Sequence, residues 1–251
     1  MLGKLLKYEL KSNVRTFLPL YGAILIVALV VRFSIAAQIS GLVATTASLV
    51  LFALFVALGV MTIIMIVQRF SKNLLSNEGY LMFTLPVSCT SLILSKLISA
   101  VIWTFFSGIV AVLTFLLLAF DADLIFYFRM TFGNFGKFLD TLQAKEYLMV
   151  AEFLFSCLFI YVSFVMSVYA SLAAGQISIF HKHRSLVSLA AFVVLLIVDF
   201  NLSSALMSLI PTTAVSYLTF AAVYSAVSSV ALFILTCLLY TSLQPEPRTI
   251  K

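Results

Sequence analysis

Few side chains in this sequence are of the types that bind metals or act as nucleophiles, and those few do not cluster. His181 and His183 lie in a short basic stretch without a neighbouring carboxylate or cysteine, which is a weak basis for a metal site. Cys89, Cys157 and Cys237 are far apart and form no CxxC pair, a pattern that favours packing over a disulfide framework or a zinc site. We therefore predict no metal and no cofactor.

Catalytic motifs are also missing from the sequence. It contains no GxxxxGK[ST] nucleotide-binding loop, no HExxH and no GxSxG. Glu152 and Asp199 are acids within apolar stretches, and we place both near the outer membrane boundary, where snorkelling or helix contacts explain them better than catalysis. We predict that the chain is not an enzyme and that any ATP-driven step belongs to a separate subunit.

The composition places these residues in a membrane. Of the 251 residues, 63% are hydrophobic and only 10% are charged, and the mean hydropathy is +1.20. A soluble domain could not bury that much apolar surface. No repeat or low-complexity linker divides the sequence, so we predict one all-α membrane domain over residues 1–251.

Apolar runs long enough to cross a bilayer define the expected spans. A hydrocarbon core about 30 Å thick needs roughly 20 apolar residues in a helix. Six runs qualify, at residues 17–37, 42–67, 92–119, 147–175, 186–200 and 213–240. Glu152 either faces the protein interior or marks a later start of the fourth span. After the break at 199–201, we expect a short re-entrant or interfacial piece at 202–210.

Basic residues in the flanks predict the orientation, because Lys and Arg concentrate on the cytoplasmic side. One side has Lys4, Lys7, Lys11, Arg15, Arg69, Lys72, Lys182, Arg184, Arg248 and Lys251, whereas the other has Arg32, Arg129, Lys137 and Lys145. Both termini are therefore expected in the cytoplasm, which requires an even number of spans. The net charge of +6 then reflects topology and anionic lipid, without nucleic-acid binding.

Residues 1–16 form a predicted cytoplasmic amphipathic helix. Its apolar residues recur at three- and four-residue spacing, at Leu2, Leu5, Leu6, Leu10, Val14 and Phe17. The opposite face has Lys4, Lys7, Lys11 and Arg15. Such a helix lies in the membrane interface and places its cations on lipid headgroups or on a partner protein. A simple surface anchor explains the same pattern.

The cytoplasmic segment 68–90 mixes polar groups with large apolar ones. The apolar side chains are Phe70, Leu74, Leu75, Tyr80, Leu81, Met82 and Phe83. Aromatic and apolar side chains around a few charges suit docking in a partner's groove. A juxtamembrane helix folded back on the bilayer is the alternative.

The longest segment on the outer side, residues 120–146, concentrates aromatic side chains. They are Phe120, Phe126, Tyr127, Phe128, Phe132, Phe135 and Phe138. Because aromatic rings favour the headgroup zone, we expect an interfacial helix or lid there, as ordinary anchoring.

Three stretches resemble the type-two permease subunits of bacterial ATP-binding-cassette exporters, in particular the short stand-alone permeases of Gram-positive bacteria. They are residues 1–11 running into 16–21, residues 69–75 (RFSKNLL) and residues 77–88 (NEGYLMFTLPVS). The resemblance covers the first 100 residues, whereas the second half is similar only in hydropathy and span count.

The resemblance implies a function and partners. In that family the N-terminal helix and the segment after the second span contact the ATPase, and two permease chains form the pathway. Carried over to this sequence, the ATPase-coupling residues are Arg69, Asn73, Glu78, Gly79, Tyr80 and Phe83. The expected function is export of an apolar or amphipathic substrate across the bacterial plasma membrane, as a homodimer with a cytoplasmic ATPase. The family provides no substrate-contact residue for transfer.

A second class of function remains open from the residues alone. A membrane sensor, assembly factor or immunity protein that does not transport would use the same segment to hold a cytoplasmic partner. It would bind that partner without substrate-dependent ATP turnover.

Overall fold

Long α-helices make up nearly all of the described chain. The computed structural model describes residues 2–37, 41–74, 89–119, 130, 133, 144–176, 183–209 and 214–242. In chain order the helices are α1 (Leu2–Ala36), α2 (Gly41–Leu74), α3 (Cys89–Ala119), α4 (Ala144–Ala174), α5 (Arg184–Met207) and α6 (Ala214–Ser242).

All six helices are long and apolar enough to cross a membrane. They also leave large apolar side chains exposed along their length, among them Leu49, Phe52, Phe105, Phe115 and Phe200. Such extensive apolar exposure suits contact with lipid, and a helix pairs its own backbone groups where no water is available. The predicted class, an all-α polytopic membrane protein with about six spans, is confirmed.

The predicted amphipathic segment 1–16 and the first span form one unbroken helix. At about 1.5 Å per residue, the 35 residues of α1 measure roughly 50 Å, more than a hydrocarbon core about 30 Å thick requires. One end of α1 must therefore project beyond the core, or the helix must tilt. Its buried residues recur at three- and four-residue spacing, at Asn13, Phe17, Tyr21, Ile24, Ala28 and Val31.

The fifth span continues past the predicted break at 199–201. The expected end at residue 200 is therefore wrong, and so is the separate piece at 202–210 for its described residues, 202–209. Helix α5 runs to Met207. Two polar residues at and just after the supposed break pair with their own helix, since Asn201 Nδ2 donates to the Ile197 carbonyl and Ser203 Oγ to that of Phe200. Paired in this way, they do not interrupt the helix.

The contacts divide the chain into two compact units. One contains Met1–Leu5, Met65–Ala100 and Ala144–Lys251, and the other contains Leu6–Ile64 and Val101–Gln143. We call them the C-terminal unit and the N-terminal unit, after the part of the chain that supplies most of each.

In the C-terminal unit, α4 packs most extensively against α6 and less against α5. Small polar residues make the close approach possible, because helices in lipid associate through small side chains and interhelical hydrogen bonds. Three buried serines of α4 are spaced four residues apart, Ser163, Ser167 and Ser171, and Ser225 and Ser229 repeat the spacing on α6. Ser163 Oγ donates to the Ser225 carbonyl over 3.3 Å.

In the N-terminal unit, α1 packs on α3 through aromatic rings. The Phe17 and Trp103 rings stack with centroids 5.0 Å apart and planes inclined by 17°. The Tyr21 hydroxyl lies 2.8 Å from Ser107 Oγ and 3.2 Å from the Trp103 carbonyl oxygen. This contact fixes the rotation of α1 about its axis, because the buried hydroxyl needs its partners on α3.

The turn after α4 approaches the start of α5 closely at Gly175. A Cβ atom added to Gly175 would lie 2.9 Å from the Arg184 carbonyl oxygen and would overlap Ser188 Oγ. The first of these is a backbone atom that cannot rotate away. Glycine at this position therefore allows the α4 and α5 ends to meet.

We predict that Gly175→Ala lowers the stability of the protein by about 1 to 3 kcal/mol, because an added methyl group overpacks the junction. Thermal unfolding of the purified chain in detergent measures the effect. Gly108→Ala is the matched control, since a Cβ there meets nothing within 4 Å. Equal unfolding temperatures for the two variants would contradict the tight junction.

Candidate functional site

The predicted ATPase-coupling residues fall only partly within the described chain. Arg69 is half-buried in the last turns of α2. Asn73 also belongs to α2, but its side chain is outside the described residues, as are Glu78, Gly79, Tyr80 and Phe83. Because Arg69 alone of these side chains is described, their coupling role stays a prediction.

The last turns of α2, which include the first residues of the predicted coupling segment 68–90, contact α4. Phe70 and Tyr169 are 0% and 1% exposed, and their rings stack with centroids 4.5 Å apart and planes inclined by 12°. Ile66, one turn earlier on α2, is buried as well. Both rings belong to the C-terminal unit. A displacement of the α2 end must therefore act on α4.

Three of the four basic residues of the predicted N-terminal amphipathic segment have described side chains. Lys7, Lys11 and Arg15 are exposed on α1, while the side chain of Lys4 is outside the described residues. Within the apolar face, Phe17 is buried but Val14 is 39% exposed, and Asn13 is buried. Binding of the cations to lipid or to a partner stays a prediction.

A second group of polar side chains converges on a carboxylate in the C-terminal unit. Asp199 lies in α5, eight residues before the helix ends at Met207. From α6, Tyr224 OH donates to Asp199 Oδ1 over 2.7 Å and Ser228 Oγ donates to the same oxygen over 2.8 Å. The Tyr224 hydroxyl also lies 2.9 Å from the Asp199 carbonyl oxygen. The helical spacing of Tyr224 and Ser228 puts both hydroxyls on one face of α6.

These residues line a cavity between α4, α5 and α6, which we call the Asp199 cavity. Its volume is about 200 Å³, and it is lined by Ile160, Ser163, Phe164, Ser167, Leu195, Leu196, Asp199, Tyr224, Ser225, Ser228 and Leu232. Aliphatic and aromatic side chains thus surround a few convergent polar groups, which is the usual composition of a small-molecule site.

Asp199 lies further from the end of its helix than the sequence suggested. Because α5 continues to Met207, Asp199 is about 12 Å inside the end of its helix, at about 1.5 Å per residue. An ionisable residue at such a depth in a span usually marks a functional site. Its partners Tyr224 and Ser228 lie 25 and 29 residues away along the chain, so no local pattern signals the cluster.

Glu152, the other acid considered, is half-buried on α4. Of the two alternatives for this residue, the structure supports an inward orientation, because α4 begins already at Ala144 and Glu152 Oε2 is buried. Within the described chain that oxygen has no hydrogen-bond partner. Glu152 does not line the Asp199 cavity.

No group of three or more His, Cys, Asp or Glu side chains lies close enough to hold a metal ion within the described ranges. His181 of the histidine pair lies outside those ranges, and His183 immediately precedes α5. Most of the aromatic-rich segment 120–146 is also outside the described residues.

Comparison with known proteins gives no family assignment. No family model, no curated protein and no solved structure matches this chain. The likeness to exporter permeases therefore depends on the sequence stretches alone.

Proposed function

We propose that this chain is the membrane-spanning permease subunit of an ATP-binding-cassette exporter of the bacterial plasma membrane. Two permease chains form the pathway and bind a separate cytoplasmic ATPase, which hydrolyses ATP to export an apolar or amphipathic substrate. Both chain termini lie in the cytoplasm. This chain contributes the pathway and the coupling segment, and the partner contributes ATP hydrolysis.

The observation that supports this proposal best is the Phe70–Tyr169 stack. A coupling segment is useful only if its movement reaches the spans, and the stacked rings attach the first residues of that segment, which still belong to α2, to α4. The residues that follow, 77–88, are those with the most specific resemblance to exporter permeases. Contact and resemblance thus point to the same part of the chain.

Helix α4 continues from this contact to the Asp199 cavity. Tyr169 lies two residues from Ser167 and five from Phe164, both of which line the cavity. A rigid helix therefore carries a displacement of the Phe70 ring to the cavity wall. ATP-driven closure of the ATPase shifts the spans between two packings by making different contacts in each state.

We predict that replacing Glu78 and Tyr80 together by Ala detaches or uncouples the ATPase and leaves membrane insertion intact. These side chains belong to the segment that the resemblance assigns to the ATPase contact. The measurement is co-purification of ATPase activity with the tagged chain from native membranes, together with ATP hydrolysis stimulated by substrate.

The matched control replaces Ser76 and Thr84 by Ala in the same segment, which keeps the ATPase bound. Unchanged co-purification and unchanged stimulated hydrolysis in the Glu78/Tyr80 variant would contradict the assignment. Stable binding of a partner without any stimulated turnover would favour the non-transporting alternative, a sensor, assembly or immunity factor.

We predict that Phe70→Leu separates ATPase binding from coupling. The substitution removes the ring stack on Tyr169 but leaves residues 75–88 unchanged, so the ATPase still co-purifies. Substrate-stimulated ATP hydrolysis falls by about 5-fold or more, because a 5-fold effect corresponds to the lower end of the coupling free energies usually found between two sites.

Met61→Leu, at an exposed position of the same helix, is the control and keeps full stimulation. Full stimulation in the Phe70 variant would show that α4 does not receive the movement through this ring. Loss of co-purification would instead show that the buried Phe70 ring is needed to position the docking residues that follow it.

A further inference from the structure

The hydroxyl hydrogens around the Asp199 cavity are all used within the protein. Tyr224 and Ser228 donate theirs to Asp199 Oδ1. The other three serines donate to backbone carbonyls, Ser163 to Ser225, Ser167 to Phe164 and Ser225 to Ala222. A hydroxyl carries one hydrogen, and after donating it has only lone pairs to offer.

The groups left for a ligand are therefore hydrogen-bond acceptors. Asp199 Oδ2 receives no hydrogen bond from the described residues, since both hydroxyl donors are on Oδ1. The serine oxygens add further lone pairs around it. Such a lining excludes anions and suits a ligand that brings its own N–H or O–H donors.

The lining also lacks a positive charge to balance the carboxylate. Apart from Asp199, the side chains that line the cavity are uncharged, and a carboxylate that stays ionised in an apolar site needs a compensating cation. The rings of Phe164 and Tyr224 belong to the same lining, and aromatic faces attract ammonium groups. The negative charge, the free acceptor oxygens and the aromatic rings therefore all favour a cationic ligand that carries N–H donors.

We infer that the Asp199 cavity binds the ammonium group of a primary alkylamine. The N–H donors contact Asp199 Oδ2 and the serine oxygens, and the first carbons of the alkyl chain contact Ile160, Leu195 and Leu232. A volume of about 200 Å³ accepts an ammonium group with a short alkyl segment, but not an entire lipid. Leu196 lines the cavity and is also 39% exposed, which gives a longer chain a route towards lipid.

That such an amine is the exported substrate depends on the proposed function, whereas the binding site itself does not. Binding is therefore measured on the full-length chain in detergent without any ATPase. A failure of ligand binding then leaves the ATPase-coupling results untouched, and a failure of coupling leaves the binding result untouched.

The probe is n-hexylammonium chloride, titrated calorimetrically into the protein at neutral pH. We expect saturable binding at one site per chain. Asp199→Asn keeps the shape of the side chain but removes its charge, and weakens binding by about 30-fold or more, as removal of one partner from a buried charge pair does. Ser204→Ala, at an exposed position of the same helix, leaves binding unchanged.

Two further measurements keep the proposal testable if the Asp199 variant fails to fold. Leu196→Trp fills the cavity from its exposed edge while keeping the carboxylate, and abolishes binding. Hexanol and hexanoate, which share the chain but lack the cation, do not bind. Equal affinity of hexanol, unchanged affinity of the Asn variant, or Asp199-dependent binding of sodium ion in place of hexylammonium would each overturn the proposal.

Discussion

The helical architecture of this protein depends on one constraint, the pairing of backbone N–H and C=O groups where no water can reach them. A helix satisfies those groups within itself, which is why long apolar helices dominate the described chain. Lipid then removes the usual driving force for burying apolar side chains, so the helices are held together by close packing and a few polar contacts. The exposed leucines and phenylalanines of all six helices follow from the same constraint.

Within the C-terminal unit, α4 takes part in all of the main contacts. Its serines let α6 approach closely, its Tyr169 ring holds the end of α2, and its middle turns line the Asp199 cavity. One helix therefore contacts both the base of the proposed coupling segment and the proposed ligand site. If the proposed function holds, this arrangement is the route by which movement of the ATPase reaches the cavity between α4, α5 and α6.

The sequence predicted the helices well because hydropathy and length report the backbone constraint directly. The prediction failed at the end of α5, where Asp199 and Asn201 resembled a break in the helix. Asp199 pairs with a side chain of α6, and Asn201 pairs with a backbone carbonyl of its own helix. Hydropathy reveals neither contact. The Asp199 cavity was unpredictable for the same reason, since its polar groups come from three helices. The Phe70–Tyr169 stack likewise joins residues almost 100 positions apart, which no local periodicity encodes.

The proposed function requires six spans with both chain ends in the cytoplasm, and cysteine accessibility tests this arrangement most directly. The three native cysteines are replaced by serine, and Ser12→Cys, Ser242→Cys and Thr141→Cys are made one at a time, near the first end, the last end and in the outer segment. In intact cells a membrane-impermeant maleimide should label only the Thr141 variant, and the other two should react only after permeabilisation. Labelling of the Ser12 or Ser242 variant in intact cells would contradict the topology and the cytoplasmic coupling that depends on it.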